Sequence, residues 1–253
     1  MCKQSLLLRL TAFALFAFSL RATAEEPIWA KEAVALAPDC NHVPTTPQLI
    51  PSPDRKAWVE VRCHPRKDDE DPTLYLRIVR PSGKSQDIGL DEGAHELLWA
   101  LDSKAFFVNG GENAYSGFFV SVYRIENDEV RKLNVTGVAQ RDMVTSFPPC
   151  KASNRDEALC KRIEKNPEYN MSGLGWADAS SAIVVMAEVP CSSLYGGIMC
   201  QVLGYKLDAV TGKILQRMTA GELKKRWQHV MAWQLRIPSP PVYGPPLRQP
   251  SKP

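Results

Sequence analysis

Ile50-Pro51-Ser52-Pro53-Asp54-Arg55-Lys56-Ala57-Trp58-Val59-Glu60-Val61 reads as a tight turn that runs straight into a strand. Pro, Asp and Ser favour a turn whose side-chain oxygen bonds its own backbone. The β-branched and aromatic residues behind it suit a strand buried on at least one face. The same frame returns as Leu98-Trp99-Ala100-Leu101-Asp102-Ser103-Lys104-Ala105-Phe106-Phe107-Val108, and again as Gly175-Trp176-Ala177-Asp178-Ala179-Ser180-Ser181-Ala182-Ile183-Val184-Val185. Aligned on the alanine, the frames begin 48 residues apart (Ala57 to Ala105) and then 77 apart (Ala105 to Ala182).

A second strand pattern follows each copy: residues 73–80, 118–125 and 200–207. Each ends in a polar turn, at residues 81–84, 126–129 and 208–213. A repeat of this length is in the range of propeller blades. The extra 29 residues (77 minus 48) fall in an insertion at about residues 139–170, with a helix-prone stretch at 154–163 and Cys150 and Cys160 to hold it.

Ser52-Pro53-Asp54 followed by Lys56, and Trp99 with Asp102, Ser103 and Lys104, resemble the TolB-like, WD40-like β-propeller repeat over about residues 48–213. Trp176 with Asp178 is the loosest copy, because its Asp is displaced. The resemblance implies an all-β fold: a small or incomplete β-propeller-like array of three to four blades. A fourth blade would draw on residues 28–43 and 214–237. A β-sandwich or curved meander is the alternative arrangement. Such a scaffold serves binding and catalysis alike, so it assigns no function.

The ends differ from this core. Lys3 and Arg9 precede an apolar run, and Ala22-Thr23-Ala24 offers a signal-peptidase site, so residues 1–24 are expected to be a removed export signal. The apolar run is too short for a permanent anchor, and no stable membrane insertion is expected after cleavage. The domain then spans residues 25–237. Thr219 with Glu222 predicts a short helix with a capping box, and residues 238–253 form a proline-rich tail expected to be extended or disordered. The full chain's formal charge of +3 includes Lys3, Arg9 and Arg21, so the mature chain is near neutral and a nucleic-acid partner is disfavoured.

Six cysteines stay with the mature chain: Cys40, Cys63, Cys150, Cys160, Cys191 and Cys200. An even number in an exported chain reads as disulfides. Nearest-neighbour pairing is favoured: Cys40 with Cys63, Cys150 with Cys160, Cys191 with Cys200. No CxxC pair points to zinc.

The chemistry-bearing residues do not assemble into a catalytic set. There is no GxSxG elbow; Cys63-His64 is better read as a bridged cysteine beside a histidine, and His95 as a surface turn residue. The acidic run 68–71 lacks the ligand spacing of a calcium loop. Gly110-Gly111 and Gly196-Gly197 read as turns without a phosphate-binding Lys. Asn134-Val135-Thr136 and Asn170-Met171-Ser172 fit the N-glycosylation pattern, which matters only in a eukaryotic host.

No catalytic residue, cofactor or metal ligand is assigned. The candidate binding loops are those carrying Tyr115 and Ser116, and Ser193 and Tyr195, which occupy equivalent places in the second and third repeats. The expected function is a non-enzymatic protein-binding module, periplasmic or secreted, whose partner is another envelope or exported protein. The alternatives are an envelope-polymer hydrolase or lyase on the same scaffold, or a ligand-sensing or structural module.

Overall fold

In the computed structural model, residues 29–36, 47–63, 74–90, 93–111, 117–148, 169–191 and 193–227 are described. The export signal, the proline-rich tail, the acidic run 68–71, the helix-prone stretch 154–163, and Cys40, Cys150 and Cys160 lie outside them. The fold is all-β. A two-residue strand β1 (Val34–Ala35) precedes three antiparallel meanders. The first sheet is β2 (Gln48–Pro51), β3 (Trp58–Cys63), β4 (Leu74–Val79) and β5 (Ser85–Gly89). The second is β6 (Ala94–Trp99), β7 (Ala105–Gly110), β8 (Phe119–Glu126) and β9 (Glu129–Leu133), with β1 added beside β6. The third is β10 (Asn170–Ala177), β11 (Ala182–Glu188), β12 (Val202–Asp208) and β13 (Ile214–Thr219).

Of the two segments expected to build a fourth blade, the described parts, residues 29–36 and 214–227, each add a strand to one of these sheets. β1 extends the second sheet through Val34 opposite Leu97, and β13 closes the third sheet through Leu203 opposite Thr219. Among the described residues of those two segments, every strand therefore belongs to one of the three sheets.

The repeated frame is the turn between the first and second strands. In the first sheet Ser52 N–H donates to Ala57 O at 2.8 Å, and Lys56 N–H donates to Asp54 Oδ1 at 3.0 Å. In the second, Ala100 N–H donates to Ala105 O at 2.8 Å and Lys104 N–H to Asp102 Oδ1 at 3.1 Å. Arg55 and Ser103 take the same left-handed step, at φ 58 and φ 60. In the third turn the left-handed residues are Asp178 and Ala179, which is the structural counterpart of its displaced Asp.

The sheets pack in series, like against like. Trp99 Nε1 donates to Ile50 O at 3.3 Å, and Trp176 Nε1 donates to Leu98 O at 3.2 Å. Both acceptors lie seven residues before their frame alanine (57 minus 50, 105 minus 98). Each tryptophan therefore latches its sheet onto the preceding one, and Pro51 fills that place in the first sheet. The turns join the same way: Asp54 N–H donates to Ser103 Oγ, Ser180 Oγ to Asp102, and Ser82 Oγ to Asp128.

Strand β7 shows the packing most clearly, since all six of its residues are buried. Phe106 and Val108 join Val59, Val61, Leu76 and Ile78 of the first sheet in one core cluster. Phe107 joins Ile183, Val185 and Tyr205 of the third sheet in another. Ala139 and Met143 of helix α1 (Gly137–Ser146) complete that second cluster. The far face of the third sheet is covered by Leu223 of helix α2 (Ala220–Arg226), with Trp29 and Phe118. The expected capping box on α2 is present: Thr219 accepts from Glu222 N–H and Glu222 accepts from Thr219 N–H.

The turn carboxylates make a pH prediction. Backbone N–H donation from Lys56, then the Ser52 hydroxyl, holds Asp54 below its ordinary value. Ser82 does the same for Asp128, and Thr211 for Asp208. Because folded values are depressed, this stabilisation is full above the ordinary carboxylate range near about pH 4 and fades as pH falls through the lower folded values. Melting temperature should drop on acidification below that range, and Asp54→Asn should flatten the drop. An unchanged slope in the variant would count against the turn carboxylates.

Candidate loop-edge binding site

Because the sheets align like with like, their two edges differ. One edge carries the short turns described above. The other is where the second strand of each sheet ends and the third begins; of the residues between them, 111, 117–118, 189–191 and 193–201 are described. We refer to it as the loop edge. Loops held by a rigid β scaffold are where recognition usually resides.

A buried polar layer lies directly beneath it. Glu96 is 1 % exposed, and its Oε1 accepts from Ala30 N–H at 2.9 Å and from Asn109 Nδ2 at 2.7 Å. Its Oε2 accepts from Trp29 N–H at 3.2 Å. Asn109 also donates to Gly173 O and accepts from Gly173 N–H, both at 2.7 Å. Asn109 thus ties the second sheet to the third, while Glu96 straps the N-terminal segment across their ends. Asn170 repeats the device, accepting from Phe118 N–H at 3.2 Å and donating to Glu188 at 3.3 Å. These side chains satisfy backbone groups that would otherwise be buried without partners. Their chemistry is positional: they fix where the loops begin.

The third loop is the best defined. Cys191 and Cys200 are joined by a disulfide, with Cα atoms 4.5 Å apart. Val189 N–H bonds Gln201 O and Cys200 N–H bonds Val189 O, closing the loop at its base. A 3-10 helix, Ser193–Ile198, fills it. Tyr195 is buried at 6 % exposure, with its ring centroid 5.9 Å from that of Tyr169. The candidate contact Tyr195 is therefore a core residue that fixes the loop from within. Among the loop residues whose exposure is described, Gly197, Met199 and Cys200 face outward, with Met199 46 % exposed. Ser193 begins the 3-10 helix, and Tyr115 and Ser116 lie outside the described residues.

Other candidates find plain places. Cys63 is disulfide-bonded, so it offers no free thiol beside His64. His95 sits half-buried within β6, its ring 6.1 Å from that of Trp29, and is not a turn residue. Asn170 of the second glycosylation pattern is 1 % exposed and hydrogen-bonded, which closes it to a glycan in the folded chain; Asn134 is exposed. Among the described residues no three His, Cys, Asp or Glu side chains converge to hold a metal ion. Among them, too, no helix is long and apolar enough to cross a membrane.

The residues sequence reasoning missed are Glu96 and Asn109. Their signal was slight: one acid beside a histidine in a strand that ends Leu97-Leu98-Trp99, and one amide between Val108 and Gly110. No family model, no curated protein and no solved structure matches this chain, so its loop edge stands on its own geometry.

Proposed function

We propose that this protein is an exported, non-enzymatic module that binds another envelope or exported protein through the loop edge. The observation that carries the reading is the contrast between the edges. One edge is closed by short turns hydrogen-bonded from sheet to sheet. The other presents longer loops, and the Cys191–Cys200 bond pre-organises one of them. Pre-organisation lowers the ordering cost of association. The disulfide is compatible with an oxidising compartment, and the turn-and-strand frame supports reading the sheets as three TolB-like blades.

A photo-crosslinking residue placed at Met199 and, in a second protein, at Leu101 on the turn edge tests this in the native host. An adduct of defined mass is expected from Met199 and none from Leu101. Adducts from Leu101 alone would reverse the assignment of the edges. Replacing Cys191 and Cys200 together by serine removes a ten-residue loop closure, about 2.7 kcal/mol in the chain-entropy model. That variant should melt lower and give a weaker Met199 adduct. An adduct of full strength would mean that the bridge does not organise the contact.

A further inference from the structure

The position-by-position repeat shows something unusual about the outer face of the first sheet. One residue after the frame alanine, the second and third sheets have Phe106 and Ile183, buried against the preceding sheet. Three residues after it they have Val108 and Val185, also buried. The first sheet has Trp58 and Glu60 at these places, then Arg62 two further on, all half-buried. On β4 the same face carries Tyr75, Arg77 and Val79, half-buried as well. Leu49 of β2 is 57 % exposed. Among the described residues, none of the three core clusters includes a residue of this face.

We propose that this face is a twofold interface between two copies of this chain. Head-to-tail growth of the series would require the far face of the third sheet. That face is already covered by Leu223, Trp29 and Phe118, which leaves pairing of like faces. The register makes the face self-complementary. Trp58 lies opposite Val79, Glu60 opposite Arg77, and Arg62 opposite Tyr75. A twofold axis running between β3 and β4, parallel to the strands, exchanges the members of each pair. It sets Glu60 against Arg77 of the second copy, Arg77 against its Glu60, Trp58 against its Val79, and Arg62 against its Tyr75. The contacts are acid with base, aromatic with aliphatic, and cation with ring. Within one copy Arg62 already pairs Glu60 at 2.6 Å and Arg77 pairs Asp87 at 2.7 Å, so the rows are held in place before association. An axis parallel to the strands also leaves both loop edges pointing the same way, giving a bivalent binder.

The test is the solution mass of the mature chain by light scattering, from micromolar to near-millimolar concentration. Twice the chain mass is expected for the wild type. Glu60→Lys and Arg77→Glu should each halve it by setting like charges across the axis. Mixing those two variants should restore the doubled mass, because each then meets its opposite. Val79→Arg should also give a single-chain mass while leaving the charge rows intact, and Leu101→Glu on the turn edge should stay doubled. Thermal melts establish that each variant is folded. A wild type at single-chain mass throughout would overturn the proposal. So would folded charge variants that keep the doubled mass, or folded ones that stay single when mixed. The readout is a mass and not a capture, so it is independent of the partner reading.

Discussion

Asn109→Ala is expected to lower the unfolding free energy by about 4 kcal/mol, since each buried group stripped of its partner costs roughly 1–3 kcal/mol. The substitution strips two, Gly173 N–H and Gly173 O, and takes from Glu96 Oε1 one of its two donors, leaving Ala30 N–H. Against a typical total of about 5–15 kcal/mol the loss is large. It should appear as a lower denaturation midpoint at unchanged slope. Asn109→Asp is an informative companion. It keeps an acceptor for Gly173 N–H, loses both donations and sets a second carboxylate against Glu96. It should be at least as damaging near neutrality and recover in part on acidification, when a protonated carboxyl donates again. A loss below about 1 kcal/mol for Asn109→Ala would remove this layer from the stability account.

Phe106→Ala and Phe107→Ala should each cost about 3–5 kcal/mol, the usual range for emptying a fully buried aromatic site. Both residues are 0 % exposed, yet they face opposite ways. Phe106 stacks on Tyr123 with centroids 5.0 Å apart and lies against the first sheet. Phe107 meets Trp176 at 5.6 Å and lies against the third. The two cavities therefore open different interfaces. Amide exchange should rise first in β3 and β4 for Phe106→Ala, and first in β10 and β11 for Phe107→Ala. Identical exchange patterns in the two variants would contradict packing in series.

The frame was readable because its determinants are local. An Asp oxygen reaching an N–H two residues on, and a Thr-Glu capping box, are fixed by residues within a few positions of one another. The same holds for the neighbouring Cys191 and Cys200. What was not readable depends on distant backbone. β10 contains Gly173 and Gly175 in place of an apolar alternation, and becomes a strand because β11 lies beside it. Helix α1 begins at Thr136 without a side-chain cap bond, so it lacks a start signal and is recruited by Met143 and Ala139 packing inward. Glu96 adjoins His95, which reads as a surface turn residue; the burial of Glu96 is decided by two amides 66 and 67 positions away. The inward turn of Tyr195 belongs to the same class, since Tyr169 and the core around it make the pocket.

The N-terminal strap has a consequence for how the chain reaches this state. Trp29 belongs to the cluster that also holds Val202, Met218 and Leu223. The ribosome releases Trp29 early and Leu223 194 residues later (223 minus 29). The head of the domain therefore waits for its tail, and contacts of such long sequence separation slow folding. Until they form, a large indole and the buried carboxylate of Glu96 are both without their final surroundings. A chain stopped short of α2 would keep that indole on display, where chaperones and proteases sort finished molecules from unfinished ones.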